Sequence, residues 1–145
     1  MNLKLPRLPL RAMINLLLAS GLLAAAAPTL AQEVRVTLVG GEETPPVATS
    51  ATGSGTIDVK ADKSVSGAIT TKGLTGTAAH IHVGAPGASG PPIITLTQGP
   101  DGTWTVPAGS KLTDEQFATF KRGGLYVNVH SAAHGPGEIR GQLKP

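Results

Sequence analysis

Four histidines carry most of the chemistry this sequence offers, and they fall in two short segments. His80 and His82 stand in "AAHIHVGAPG", residues 78–87, and His130 and His134 in "VNVHSAAHGPGE", residues 127–138. There is no cysteine, and both methionines, Met1 and Met13, lie close to the start. An all-nitrogen donor set of this kind suits Cu(II) or Zn(II). It argues against a Cu(I) thiolate site or an iron–sulfur cluster. The nine Asp and Glu are too dispersed for the oxygen cage that calcium or magnesium prefers. A His-X-His pair alone is a weak signal, and a solvated or hydrogen-bonded structural role competes with metal binding.

The strands that must hold these residues sort them by face, because successive strand side chains alternate. In "AHIHV" (79–83) Ala79, Ile81 and Val83 take the core side, so His80 and His82 point outward, roughly 7 Å apart at Cα. In "LYVNVH" (125–130) Leu125, Val127 and Val129 go inward, leaving Tyr126, Asn128 and His130 outside. In "GEIRGQL" (137–143) Ile139, Gly141 and Leu143 go inward, leaving Glu138, Arg140 and Gln142 outside. If the first two strands are neighbours, His80, His82 and His130 converge, and His134 can fold back as a fourth ligand. Tyr126, Asn128 and Glu138 are candidate acceptors for the histidines' free N–H groups. For each singly, ordinary surface polarity is the competing reading. Arg140 reads as a surface arginine paired with Glu138.

The rest of the chain reads as a β domain. Short β-branched runs recur between Gly, Pro, Asp and Ser clusters: 33–40, 54–60, 64–73, 79–83, 93–98, 103–107, 125–130 and 137–143. "GEETPPVATSATG" (41–53) is a long polar loop that Pro45 and Pro46 keep out of a central strand. "LTDEQFATFKRGG" (112–124) breaks the pattern. Thr113 and Gln116 form a capping box, Phe117 and Phe120 share a face, and Gly123 is placed to end a short helix. The expected fold is all-β: an immunoglobulin-like sandwich or barrel of about eight antiparallel strands with one short helix.

Residues 1–31 read as a secretory signal peptide cut after Ala31. Lys4, Arg7 and Arg11 precede the apolar run "AMINLLLASGLLAAAA", which is too short to span hydrocarbon, and small residues follow it. That leaves one domain, 32–145, in the periplasm or secreted, with no membrane attachment after cleavage. Three of the twelve basic residues and none of the nine acids belong to the leader. The remainder therefore carries no net charge, and with few aromatics and no basic stripe it is no nucleic-acid binder.

"AAHIHVGAPGASGPPIITL", "LTDEQFATFKRGG" and "LYVNVHSAAHGPGEIRGQL", in that order, resemble the CHRD domain over roughly residues 33–143. The resemblance implies a single immunoglobulin-like β domain. Members resembling chordin imply an extracellular interaction role, while some bacterial members look like copper-binding proteins. That likeness points to His80, His82 and His130 as ligands, whereas His134 departs from the family pattern. "GLTGTAAHIHVG" is also similar to the copper segment of copper–zinc superoxide dismutases, without their cysteines or zinc-site residues.

Three functions stay open. The first is a non-enzymatic module binding copper, or zinc, through His80, His82, His130 and His134. The second is a metal-free extracytoplasmic domain contacting a periplasmic or extracellular protein through the loops at 41–53 and 84–92. The third is a superoxide dismutase-like copper oxidoreductase with Arg140 steering the anion. No nucleophile elbow, phosphate loop or dinucleotide fingerprint supports any other enzyme.

Overall fold

The computed structural model describes residues 32–145, so the proposed leader lies outside the described residues. Its strands are β1 (Gln32–Val39), β2 (Thr52–Val59), β3 (Val65–Lys72), β4 (Gly76–Val83), β5 (Pro92–Thr95), β6 (Thr97–Gln98), β7 (Thr103–Thr105), β8 (Leu125–Ser131) and β9 (Ile139–Leu143). One helix, α1 (Asp114–Lys121), precedes β8. All strands join one antiparallel sheet in the order β5-β4-β8-β9-β1-β2-β3-β7-β6.

The ends of that sheet, β5 and β6, are separated in sequence by Leu96 alone. The run expected as one strand at 93–98 is thus a single stretch kinked at Leu96. Its first part pairs with β4 and its second with β7. Leu96 is buried, and its amide donates to Ala79 O at 2.9 Å. The sheet therefore curls into a nearly closed barrel, and counting the kinked stretch once recovers the expected eight strands.

Alternation fills the interior as the sequence implies. Val34, Val36 and Leu38 meet Ile57, Ile81, Val127, Val129, Ile139 and Leu143 in one apolar core. Trp104 packs its ring edge where a side chain at Gly76 would sit, 2.5 Å from a hypothetical Cβ, so the close approach needs glycine. Helix α1 has the expected capping box: Thr113 Oγ1 accepts from Gln116 N and Gln116 Oε1 accepts from Thr113 N. It is shorter than the 112–124 segment, and Gly123 follows it at a φ of 72°. Phe120 is fully buried and Phe117 stacks beside it.

One expectation needs correcting. The outer sides of β8 and β9 are not solvent-exposed, and Tyr126, Asn128, Arg140 and Gln142 are all buried. Residues from the 40–51 and 84–91 loops lie over them. Alternation separates apolar from polar faces, and here the polar face is roofed by loop backbone that hydrogen-bonds Tyr126, Arg140 and Gln142.

Candidate metal centre

Strand pairing builds the centre directly. β4 and β8 are neighbours, with Ala78 opposite His130, His80 opposite Asn128 and His82 opposite Tyr126. Directly opposed residues share a face, so His80, His82 and His130 converge around Asn128. One ligand atom from each of the three lies within 4.8 Å of the others. His80 and His130 are partly exposed while His82 is 7% exposed, so the expected surface cluster is a half-buried one.

Two Gly/Pro loops set the histidine tautomers. His82 Nδ1 lies 2.8 Å from Gly90 O and His130 Nδ1 lies 2.8 Å from Gly135 O. A carbonyl can only accept, so both Nδ1 atoms carry the proton, and in the neutral rings both Nε2 atoms present lone pairs. The first loop is held by the turn from Ala88 N to Ala85 O, the second by turns from His134 N to Ser131 O and Gly137 N to His134 O. His130 Nε2 meets His80 Nδ1 at 2.9 Å. His82 Nε2 is buried without a hydrogen-bond partner among the described residues.

The environment favours neutral rings. Burial pushes His80 below the ordinary histidine value, with the fields of His130 and His82 adding to it. Burial lowers His82 as well, with the fields of His130 and Arg140 and against hydrogen bonds to Gly90 and Asn128. Neutral imidazole is the metal-binding form.

The outer partners differ from those anticipated. The acceptors at close hydrogen-bond distance are main-chain carbonyls, and of Tyr126, Asn128 and Glu138 only Asn128 also acts on a histidine as a hydrogen-bond partner, raising His82. Tyr126 instead stacks on His82, with ring centroids 4.8 Å apart and planes within 7°, while its Oη accepts from Gly90 N at 3.3 Å. Asn128 is buried amid the three histidines, with Oδ1 unpartnered and Nδ2 3.4 Å from Pro136 O. Glu138 turns away, its Oε1 accepting from Thr49 Oγ1 at 2.7 Å. Hydrogen bonds from Ser131 and Thr49 hold its carboxyl below the usual value. His134 is half-buried outside the trio and lines a cleft with Glu43, Thr44, Pro45, Val47, Pro136 and Gly137.

Arg140 is a correction. Expected at the surface opposite Glu138, it is 1% exposed, with its guanidinium 3.5 Å above the Tyr126 ring centroid. It donates to Ala85 O and Ala88 O at 2.9 Å each and to Gln142 Oε1 at 3.0 Å. Its charge fastens the 84–91 loop and does not face solvent as an anion-steering group would. Glu43, read only as part of a polar loop, is the residue the sequence concealed. It is 8% exposed beside Asn128, and its Oε1 is unpartnered. Burial raises its carboxyl above the usual value, while Asn128, Arg140 and His130 pull it down.

The CHRD domain family model matches residues 34–143. The chain belongs to the CHRD domain family. Neither a curated protein nor a solved structure matches it. The match spans this CHRD domain from β1 to β9, so both histidine segments and both carbonyl-bearing loops lie inside the family's own extent. Among the described residues of the domain, no helix is long and apolar enough to cross a membrane.

Proposed function

We propose that this CHRD domain is an exported, non-enzymatic module that binds copper through His80, His82 and His130. The observation that carries the reading is His82 Nε2. It is a buried nitrogen with no partner at hydrogen-bond geometry among the described residues, its tautomer is fixed by Gly90 O, and His82 belongs to the trio whose ligand atoms lie within 4.8 Å of one another. A buried polar atom left unpaired costs about 1–3 kcal/mol, and a metal ion between the rings removes that cost.

Copper is preferred over zinc because the donor set is all imidazole with no sulfur, and because the segments holding His80, His82 and His130 resemble those of copper-binding CHRD members. The 2.9 Å contact of His80 Nδ1 with His130 Nε2 is a hydrogen bond in the metal-free protein, so His80 would have to move its Nδ1 proton to Nε2 to offer Nδ1 as a ligand.

The same contact supports a second reading, a metal-free interaction domain in which His80 donates to His130 as a structural hydrogen bond. That arrangement leaves His82 Nε2 unsatisfied, so we favour the metal. The deciding experiment is a Cu(II) titration followed by visible and electron paramagnetic resonance spectroscopy. One equivalent with a nitrogen-type signal, lost in H80A/H82A, is expected. A featureless titration, or a signal that survives in H80A/H82A, sinks the copper reading.

A further inference from the structure

Glu43 has no part in the ligand set, yet its position is built. The 3₁₀ turn at Gly40–Glu42 closes through Glu43 N to Gly40 O at 3.1 Å, and Val47 N returns to the same carbonyl at 2.8 Å. This delivers the Glu43 side chain onto Gly137, where an added Cβ would lie 2.4 Å from Oε1 and 2.6 Å from Asn128 Nδ2. Gly137, at a φ of 142°, thus leaves the space in which carboxyl and amide meet. Asn128 sits opposite His80 on β4 and opposite Arg140 on β9. Glu43 therefore reaches the centre across one buried side chain.

Asn128 and the Thr44 backbone hydrogen-bond this carboxyl and it feels the field of Arg140, but among the described residues no cation pairs with it directly. It takes part in neither ion pair, which are Arg35–Glu33 and Lys63–Asp114. Arg140, the nearest fixed cation, directs its hydrogen bonds to Ala85, Ala88, Gln142 and Thr44. A buried carboxyl without a cation is costly unless something supplies the charge. Three neutral imidazoles around a divalent ion have the converse deficit, a half-buried double positive charge with no anion among the ligands.

We propose that Glu43 is the charge-compensating carboxylate of the metal centre, a positioning residue outside the ligand triangle that favours a divalent over a monovalent ion. The inference rests on the metal reading above. Glu43 acts through space and through Asn128, whose orphaned Oδ1 marks the polar gap between carboxyl and rings.

The test compares E43Q with the wild-type protein, measuring Cu(II) and Cu(I) affinities separately by chelator competition. Glutamine keeps the shape and removes the charge. We expect Cu(II) affinity to fall about tenfold, in the range for outer partners of metal ligands, with Cu(I) affinity little changed. That split raises the Cu(II)/Cu(I) potential by about 59 mV. E43D, which keeps the charge but withdraws it, should shift in the same direction by less, and it serves if E43Q does not fold. Equal losses for both ions, or none, overturn the role of Glu43 while leaving the metal site standing. A wild-type protein that takes up neither ion overturns the metal reading and this inference together.

Discussion

Arg140 lies flat over Tyr126, its guanidinium carbon 3.5 Å from the ring centroid, and Tyr126 in turn lies parallel to His82. Arg140 and His82 come from the two strands flanking Tyr126, β9 and β4. Histidine, tyrosine and arginine thus form a buried stack whose cation also grips the loop that fixes the His82 tautomer. A lysine at 140 keeps the charge but loses the planar fork. R140K should therefore leave carbonyls of Ala85 or Ala88 unpaired and cost about 2–4 kcal/mol. Denaturant unfolding checks this, and an unchanged midpoint would show that the fork is dispensable.

The three-histidine geometry makes an asymmetric prediction for the four imidazoles. H80A, H82A and H130A should each weaken Cu(II) binding by at least 100-fold, while H134A should change it less than threefold, by analogy with the gap between ligands and their surroundings. Isothermal titration of the four variants distinguishes them. A large loss in H134A would move the fourth histidine into the ligand set despite its place in the neighbouring cleft.

Protonation should couple to stability with a definite sign. His80 and His82 are both held below the ordinary histidine value of 6.5 in the folded state. The unfolded chain then binds more protons as the medium acidifies, so their contribution is present above about pH 6.5 and is lost as pH falls through the lowered folded values. The metal-free protein should accordingly melt at lower temperature at pH 5.5 than at pH 7.5. H80Q/H82Q should narrow that difference. A double variant with the wild-type pH dependence would assign the effect elsewhere.

The helix offers a test independent of the centre. T113A removes one half of the capping box and should cost about 1 kcal/mol. F120A empties a fully buried site and should cost about 3–5 kcal/mol. Both should leave Cu(II) affinity unchanged when measured on folded protein, because α1 supplies no residue to the centre.

How far the sequence reaches is visible residue by residue. Alternation in "AHIHV" and "LYVNVH" places His80, His82 and His130 on one face, and the capping box places the helix, because both follow from local geometry. The burial of that face was not legible. Alternation reports polarity, and it cannot tell water from a roof of loop carbonyls. Arg140 therefore read as a surface residue, although four polar groups from the 44, 85, 88 and 142 positions enclose it. Glu43 was hidden for a related reason. It stands beside Glu42 in one polar loop, yet Glu42 is exposed and Glu43 buried, a difference made by where the chain returns at Val47 and Gly137.

The kink at Leu96 has a consequence for how the molecule resists association. A single open sheet would present two bare edges, each a template for pairing with another chain. Here both edges belong to one seven-residue stretch, 92–98, so neither is free while that stretch is docked. The pairings that close the ring are local in sequence, β5 with β4 and β6 with β7, so two short hairpins joined at Leu96 hold the seam. A nascent or stressed chain that has not yet seated Leu96 would expose both edges at once. Proteolytic nicking or insertion at this position should convert a self-closed sheet into one that exchanges strands with neighbouring molecules.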